Sequence, residues 1–363
     1  MPISAPSVPG KKTKAPTRKR GSASERVLSL RDLAQLAGVD VSTASRSLRD
    51  DPQISRERAS EIKALAEKIG YRPRPMRGKR TQAIGLLLVT ANSTTPADQH
   101  LQRILWMVER AVTEKGLHMN LEFVSPDEGN ATLPSIVARN RVDGVLLAGH
   151  PPVRLVELIR ETGMPMAAFN EKIERLRLSC LRSQPAAVLR EAVSRLAAWG
   201  HRRIGTVLTH MRYPAMQDRY QAYVDALAYV NIAVDPALVV DGLPDDIQGG
   251  REGVRVLAER GKLPSAILFG NDWMALGGIY ELARSGLRVP EDVSVAGSGN
   301  YPICDHLEPG ITSIAADEPQ VGRDALQLLV EQIEGGGKAE LREASIPQFV
   351  VWRESTGPLV TKT

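Results

Sequence analysis

Short apolar runs alternate with amphipathic stretches through most of the chain, from residue 84 to residue 352. The amphipathic stretches have helical spacing and include Leu101–Glu114, Ala187–Ala198 and Met274–Ser285. The apolar runs predict strands at Ile84–Thr90, His118–Phe123, Gly144–Leu147, Met166–Phe169, Ile204–Leu208, Ala266–Phe269, Val293–Ala296 and Phe349–Trp352. Because strands and helices alternate, we predict parallel sheets with helices on both faces. Nearly 280 residues exceed one such unit, so the pattern predicts two α/β lobes with a cleft between them.

A different pattern precedes the strands and predicts three short helices. The first begins near Ser29, where Asp32 completes a capping-box-like start. Asp40 can cap the second helix, over Val41–Leu48, and the third runs from about Ser55 to Ile69. Two helices joined by a tight turn, the second short and rich in small polar residues, form a helix-turn-helix pattern.

The second of these helices carries side chains that suit DNA. Arg46 lies one turn beyond Ser42 on the same face, where its guanidinium can reach a guanine in the major groove. The hydroxyls of Thr43 and Ser45 suit phosphate oxygens, which position a helix without reading sequence. A three-helix module that packs against a protein is the alternative that this pattern leaves open.

Charge is distributed unevenly along the chain. Residues 1–82 hold 19 Lys and Arg against 8 Asp and Glu, whereas the remainder holds 28 against 34. The first region therefore suits a polyanion and the rest does not. Residues 1–28 lack apolar periodicity and are rich in Pro, Ser, Lys and Gly, which predicts a disordered arm. Such an arm either adds non-specific DNA affinity or serves as a solubilising tail.

Several classes of protein are disfavoured by what the chain does not contain. No window approaches the roughly 18 uninterrupted apolar residues of a membrane span, and no apolar segment follows the basic N-terminus as in a signal peptide. Two cysteines, Cys180 and Cys304, are too few for a disulfide framework. The six histidines lack metal spacing, and we find no nucleophile elbow or phosphate loop. We therefore expect a cytoplasmic protein that is not an enzyme, with no cofactor, no metal and no membrane partner.

A set of motifs resembles the LacI (lactose-repressor) family of transcription regulators. The motifs are Leu30-Arg31-Asp32-Leu33-Ala34-Gln35-Leu36-Ala37-Gly38-Val39, Ser42-Thr43-Ala44-Ser45-Arg46, Ile54-Ser55, Gly70-Tyr71-Arg72-Pro73, Arg141-Val142-Asp143-Gly144, Gly200-His201-Arg202-Arg203-Ile204, Asn271-Asp272-Trp273-Met274-Ala275-Leu276-Gly277, Val289-Pro290-Glu291-Asp292-Val293-Ser294-Val295 and Arg353-Glu354-Ser355-Thr356. They follow one another over residues 29–357. The resemblance implies a homodimeric regulator of double-stranded operator DNA. Its core would be a two-lobed fold of the periplasmic-binding-protein type that binds a small metabolite.

The resemblance assigns boundaries and DNA contacts. We expect an arm at 1–28, an all-α helix-turn-helix headpiece at 29–73, a hinge linker at 74–82, an α/β core at 83–357 and a tail at 358–363. Predicted base contacts are Val41, Ser42 and Arg46, and predicted phosphate contacts are Arg31, Thr43, Ser45, Ser55 and Arg56. The linker is several residues shorter than the family's usual hinge, which forms a helix and wedges a leucine into the minor groove. The candidates left for the minor groove are Arg74, Met76 and Arg77.

Ligands of two-lobed α/β proteins bind at the carboxyl ends of strands, between the lobes. Candidate effector residues follow predicted strands or match the family's effector arginine: Asn92, Asn170, Arg219, Asn271, Asp272 and Asn300. The family often has Asp where this chain has Asn170 and Gly299. Loss of two carboxylates beside Arg219 makes the cleft less negative and favours a sugar acid or sugar phosphate. A neutral sugar held by the asparagines remains the alternative.

Two classes of function compete for this pattern. The favoured one is a ligand-responsive regulator, a repressor of a carbohydrate-utilisation operon that binds a palindromic operator as a dimer. The alternative is a sugar-binding component of a transporter, which shares the two-lobed core. It is disfavoured because a transporter component needs a signal peptide and no helix-turn-helix. An α/β sugar kinase or hydrolase would need a catalytic motif that we do not find.

Overall fold

The computed structural model describes residues 30–48, 51, 53–69, 80–90, 99–261 and 263–360. In this part of the chain the helices are α1 (Leu30–Leu36), α2 (Val41–Ser47), α3 (Arg56–Lys68), α4 (Gln99–Glu114), α5 (Ser135–Ala138), α6 (Val153–Glu161), α7 (Ile173–Leu176), α8 (Ala186–Ala198), α9 (Pro214–Tyr229), α10 (Ile247–Glu259), α11 (Asp272–Arg284) and α12 (Glu318–Glu334). The strands are β1 (Ala83–Val89), β2 (His118–Val124), β3 (Gly144–Ala148), β4 (Met166–Phe169), β5 (Ser179–Ser183), β6 (Ile204–Val207), β7 (Val239–Val240), β8 (Ala266–Phe269), β9 (Ser294–Ser298), β10 (Thr312–Ala316), β11 (Glu343–Ile346) and β12 (Gln348–Val351). The chain divides into two compact units, residues 1–76 and 77–363.

The first unit contains the three helices that the N-terminal pattern predicts. Leu33 of α1 is completely buried against Ile62 and Ala66 of α3, and these side chains form its core. Asp40 caps α2, as predicted, because its carboxylate accepts a hydrogen bond from the Thr43 amide at 2.9 Å. Arg58 of α3 donates to the Ala37 carbonyl at 3.2 Å and so ties the third helix to the turn between the first two.

The second unit contains two six-stranded sheets, one in each lobe. In lobe 1 the strand order is β11-β5-β4-β3-β1-β2, and all neighbours are parallel. In lobe 2 the order is β12-β10-β9-β8-β6-β7, and all neighbours are parallel except the β10–β12 pair. Every residue of β1 is buried, because helices cover both faces of a parallel sheet. This architecture confirms the predicted fold class of a helix-turn-helix headpiece and a two-lobed α/β core.

The chain passes between the lobes at three short connections. It leaves lobe 1 between β5 and α8, returns between β10 and α12, and crosses again between β11 and β12, where Pro347 is the single connecting residue. Because α12 packs on β3, β4 and β5, it belongs to lobe 1, whereas α8 packs on α9 in lobe 2. Short connections between two lobes are typical of domains that close about a hinge.

Close packing of α10 and α11 depends on glycine. A Cβ at Gly250 would lie 1.9 Å from the Met274 carbonyl oxygen, and one at Gly277 would lie 2.0 Å from that of Ile247. The two helix backbones therefore touch directly, which no larger side chain allows. Within the described residues, no helix combines the length and apolarity needed to cross a membrane.

All eight predicted strands occur, two of them with the predicted bounds and the others with ends shifted by at most two residues, and so do the three helices named with them. The pattern missed β5, β7, β10 and β11. The predicted arm and residues 74–79 of the linker lie outside the described residues.

Candidate functional site

The first turn of α2 is organised around Asp40. Its carboxylate accepts hydrogen bonds from the Ser42 hydroxyl, from the Thr43 hydroxyl at 2.6 Å and from the Thr43 amide. These hydrogen bonds hold the pKa of Asp40 well below its usual range. Asp40 therefore fixes the orientation of the Ser42 and Thr43 hydroxyls, both of which are predicted to contact DNA.

The outer face of α2 presents the predicted base-reading residues. Val41 is 41% exposed, and Ser42 and Arg46 are also exposed. Arg46 lies near Gln53, with Nη1 3.4 Å from Oε1. Ala44 and Ser47 are buried on the opposite face, so α2 packs through one side and leaves the other available.

Further predicted DNA contacts lie on α2 itself and on the two helices that pack against it. Arg31 on α1 and Arg56 on α3 are exposed, and Ser45 is partly buried. The hydroxyl of Ser55 accepts from the Arg58 amide at 3.3 Å, which places Ser55 at the N-terminus of α3. The predicted hinge residues Arg74, Met76 and Arg77, and the predicted effector residue Asn92, lie outside the described residues.

Arg219 on α9 reaches the end of β9 in the interlobe cleft. Its guanidinium donates to the Ser298 hydroxyl at 2.7 Å. Burial lowers the pKa of Arg219 to about 10, and the Asp272 carboxylate opposes this effect. A guanidinium has five N–H donors, and within the described residues one of them has a hydrogen-bond partner. The remaining donors are available to oxygen atoms of a ligand.

Asp272 and Asn271 are committed to the protein's own structure. Asp272 is completely buried and accepts from the Tyr301 amide at 2.8 Å and the Ser313 hydroxyl at 2.6 Å. Burial raises the pKa of this carboxyl, and the hydrogen bonds oppose the rise. Asn271 caps α11 by accepting from the Met274 amide at 2.8 Å and donates to the Asp245 carbonyl at 2.7 Å. Asn271, rather than Asp272, is therefore the N-cap of this helix.

Asn170 and Asn300 follow β4 and β9 in backbone conformations with positive φ, at 49° and 54°. Asparagine tolerates this left-handed region better than most residues. The amide oxygen of Asn170 accepts from the Ser183 amide at 3.0 Å, and that of Asn300 accepts from Arg353 Nη2 at 2.7 Å. Arg219, Asp272 and Asn300 meet around the end of β9, whereas Asn170 lies in lobe 1.

His150 also follows a strand, β3, and so lies where ligands of two-lobed α/β proteins bind. The sequence analysis did not include it among the candidates. Its Nδ1 lies 2.6 Å from Oε1 of Glu171, a carboxylate that is only 1% exposed, and Arg175 Nη1 lies 3.0 Å from Oε2. The His150 ring also packs edge-on against Tyr213 of lobe 2, with centroids 5.8 Å apart. The signal that could have identified His150 is its position two residues after the predicted strand β3.

Charged contacts between the lobes were also missed. Asp218, which precedes Arg219 on α9, pairs with Arg182 of β5 and lies 3.8 Å from Lys172 Nζ. Arg103 of α4 reaches the Gly299 carbonyl and the Tyr301 ring in lobe 2. No periodicity in the sequence distinguishes these residues from surface charges.

Two family models match the chain. Residues 29–74 match the model described as bacterial regulatory proteins, lacI family, and residues 193–356 match a periplasmic binding protein-like domain. Among curated relatives, the HTH-type transcriptional repressor CytR of Escherichia coli strain K12 is 27% identical over 315 residues, which cover 86% of this chain and 91% of CytR.

Solved structures give the same result for the fold. A transcriptional regulator CelR–cellobiose complex is 27% identical, with a TM-score of 0.67 over 90% of this chain and 99% of the other. The lac repressor dimer bound to operator and the anti-inducer ONPF is 20% identical, with a TM-score of 0.65 over 91% and 99% of the two chains. At this level of identity, the comparison with the lac repressor shows only that the two proteins share a fold.

Proposed function

We propose that the chain is a transcriptional repressor of the LacI family of bacterial regulatory proteins, which binds a palindromic operator as a homodimer and responds to a sugar or sugar acid in the interlobe cleft. The observation that carries this proposal is α2, a short capped helix whose outer face is left exposed beside basic residues. CytR is a repressor by name, and the CelR structure holds cellobiose.

On DNA, α2 is the helix that we assign to the major groove. Its N-terminal residues Val41 and Ser42 and the longer Arg46 would contact base edges, because all three are exposed on one face. Thr43, Ser45, Ser55, Arg31 and Arg56 would contact phosphates and so fix the orientation of the helix. The Ser42 and Thr43 hydroxyls donate to Asp40, so they can accept from a base amino group as they stand, and they can donate to DNA only after rotating away from Asp40. The linker residues Arg74, Met76 and Arg77 stay predicted minor-groove contacts.

In the cleft, Arg219 is the residue that we assign to direct contact with the effector, supported by Asn170 and Asn300. A partly buried guanidinium forms paired, charge-assisted hydrogen bonds with a carboxylate, a phosphate or vicinal hydroxyls. Asp272 and Asn271 act through their neighbours. Asp272 holds Ser313 and Tyr301 in place, and its negative charge stabilises the charged form of Arg219. Asn271 caps α11. Asn92 stays a predicted contact.

A sugar-binding transporter component is the competing function, because it would share the two lobes and the cleft. It would have no use for α1 to α3, whose residues match the lacI family model. The regulator is therefore favoured.

Selection from a pool of random DNA duplexes tests the proposal. We expect the full-length protein to enrich one two-fold symmetric sequence with half-sites about one helical turn apart, or a multiple of it. A transporter component would enrich none, and non-specific binding would enrich no common sequence. A thermal-shift screen of sugars, sugar acids and sugar phosphates would then find the effector, because a ligand at 100 times its Kd adds about 2.7 kcal/mol of stability.

A further inference from the structure

Arg103 bridges the two lobes at the cleft. It extends from α4 of lobe 1, and its Nη1 donates to the carbonyl oxygen of Gly299 in lobe 2. Its guanidinium also lies over the ring of Tyr301, 4.4 Å from the ring centroid. Cations are attracted to the face of an aromatic ring at this distance. Arg103 therefore makes two kinds of contact with the opposite lobe.

The Arg103 side chain is held in place from its own lobe. Nη2 forms an ion pair with Glu318, in the first turn of α12. The Arg103 side chain is 19% exposed and that of Glu318 is 41% exposed, so Arg103 is the more enclosed partner. A charge fixed in this way loses less side-chain freedom when it contacts the other lobe than a free surface arginine would.

The lobe 2 surface is shaped to accept this guanidinium. Gly299 has φ of +123°, and a Cβ there would lie 3.0 Å from Arg103 Nη1 and 2.7 Å from Tyr301 Cε2. A side chain at position 299 would therefore displace the arginine or the ring. Tyr301 is itself fixed, because its amide donates to buried Asp272 and its ring packs against Trp273 with centroids 6.1 Å apart.

We propose that Arg103, Gly299 and Tyr301 form an interlobe clasp, with Arg103 as a positioning residue that sets how readily the cleft opens. Every group in the clasp belongs to the chain, so it holds the lobes together without help from a ligand. The clasp itself does not depend on the proposed function, but its consequence does: effector entry requires opening the clasp, so a tighter clasp slows association of the effector.

Single-molecule FRET between the lobes tests the clasp without any ligand. Dyes on Ser125→Cys and Asp241→Cys, both exposed after edge strands β2 and β7, report the width of the cleft. Cys180 and Cys304 are buried, and burial raises the pKa of Cys180 to about 12, so neither native thiol competes for dye. An excess of unlabelled protein ensures that each dimer carries one labelled copy.

The variants approach the clasp from both lobes. Arg103→Met removes the guanidinium, and Gly299→Ala adds the Cβ that the clasp excludes. We expect both to raise the ratio of open to closed molecules at least about tenfold, the change that 1.4 kcal/mol produces. Arg103→Lys keeps the charge but loses the planar fork, and it should give an intermediate ratio. The control is Arg110→Met on the same helix, whose ion pair with Glu114 is exposed and intrahelical.

An open-to-closed ratio that is unchanged in Arg103→Met and in Gly299→Ala would overturn the clasp, provided that circular dichroism shows both folded. If Arg103→Met does not fold, Gly299→Ala and Arg103→Lys decide the question. Operator binding by the same proteins is measured separately by fluorescence anisotropy. If the wild type shows no sequence-specific DNA binding, the proposed function is contradicted, but the conclusion about the clasp from FRET is unaffected.

Discussion

Single residues in this protein have roles that their neighbours define. Asp40 organises the first turn of α2 by binding Ser42 and Thr43, so the cap also sets the side chains that face DNA. In the cleft, Asp272 supports Tyr301 and Ser313, whereas Arg219 donates to Ser298 and, within the described residues, has further N–H donors without a hydrogen-bond partner. Sequence alone identified Arg219 and Asp272 as candidates, but their different roles follow from burial, which depends on distant segments.

Replacing Arg46 with alanine tests whether α2 reads the base sequence of the operator. We expect Arg46→Ala to cost about 1–3 kcal/mol at one base pair of each half-site, because a bidentate guanidinium–guanine contact is lost. Binding to random DNA should weaken much less. Anisotropy titrations against operator and random duplexes measure both, with Arg56→Ala as a comparison that should weaken the two equally. Equal losses for Arg46→Ala would show that it contacts phosphate only.

Replacing Arg219 with alanine tests the effector site. Arg219→Ala should remove the response to effector while operator binding without effector persists. The expected loss is at least the roughly 1.5–3 kcal/mol of a hydrogen bond to a charged group. Calorimetry with the ligand found by the thermal-shift screen measures it, and Arg212→Ala, exposed just before α9, is the control. Unchanged affinity in Arg219→Ala would place the effector elsewhere.

A second cleft variant decides the charge of the effector. Asn170→Asp should weaken a sugar acid or sugar phosphate, because it adds a negative charge near the ligand, and should spare a neutral sugar. The same calorimetric titration is the measurement. Unchanged or tighter binding would favour the neutral sugar.

Among the elements, two of the strands that the apolar pattern missed, β5 and β10, share a cause. Residues of β10 include Thr312 and Ser313, which are buried yet hydrogen-bonded, the first to Thr356 and Arg353 and the second to Asp272. In β5, buried Ser179 accepts from Gln332 at 3.1 Å. Polar residues can lie in central strands when distant partners satisfy them. The sequence near β5 and β10 contains no sign of those partners, so these two strands were not predictable from the apolar pattern.

The contact between α10 and α11 also depends on a buried carboxylate. Glu281 of α11 is 1% exposed, and Arg284, Arg255 and Arg251 donate to it at distances up to 3.2 Å. Hydrogen bonds from these arginines, Arg284 first, lower the pKa of Glu281 to about 2. A carboxylate with a lowered pKa stabilises the fold when it is ionised and loses that effect on protonation.

The pH dependence of unfolding tests this contact. At pH 7 we expect a lower Tm for Glu281→Gln than for the wild type. The difference should be constant above pH 4.5, the ordinary glutamate pKa, and shrink as the pH falls from there towards 2. Thermal unfolding followed by circular dichroism measures Tm, and Glu252→Gln, which is half-exposed beside Arg255, should have little effect. A difference in Tm that does not change with pH would mean that the charge of Glu281 is unimportant.

At the scale of the whole molecule, lobe 1 exposes apolar side chains beside an edge strand. Trp106 of α4 is 69% exposed, and Leu121 and Phe123 of β2 are 38% and 48% exposed. Helix α4 packs beside β2. Large exposed apolar side chains in neighbouring elements are typical of protein–protein interfaces. A homodimer that reads a two-fold operator needs such a surface.

Sedimentation equilibrium tests where the dimer forms. The wild type should be a dimer at micromolar concentration, and Trp106→Glu should shift it towards monomer because a charge would be buried without a partner. Tyr229→Glu is the control, since Tyr229 is 65% exposed but lies in lobe 2. A monomeric wild type, with and without DNA, would contradict the dimer, and a fully dimeric Trp106→Glu would place the interface on another surface.

We expect ligand binding in the cleft to change the affinity of the same molecule for its operator. The most direct measurement is the Kd for the selected operator, by anisotropy, with and without a saturating ligand from the thermal-shift screen. We predict a change of about fivefold or more, the lower end of allosteric couplings, and its loss in Arg219→Ala. A ligand that raises the wild-type Tm but leaves the operator Kd unchanged would contradict the account.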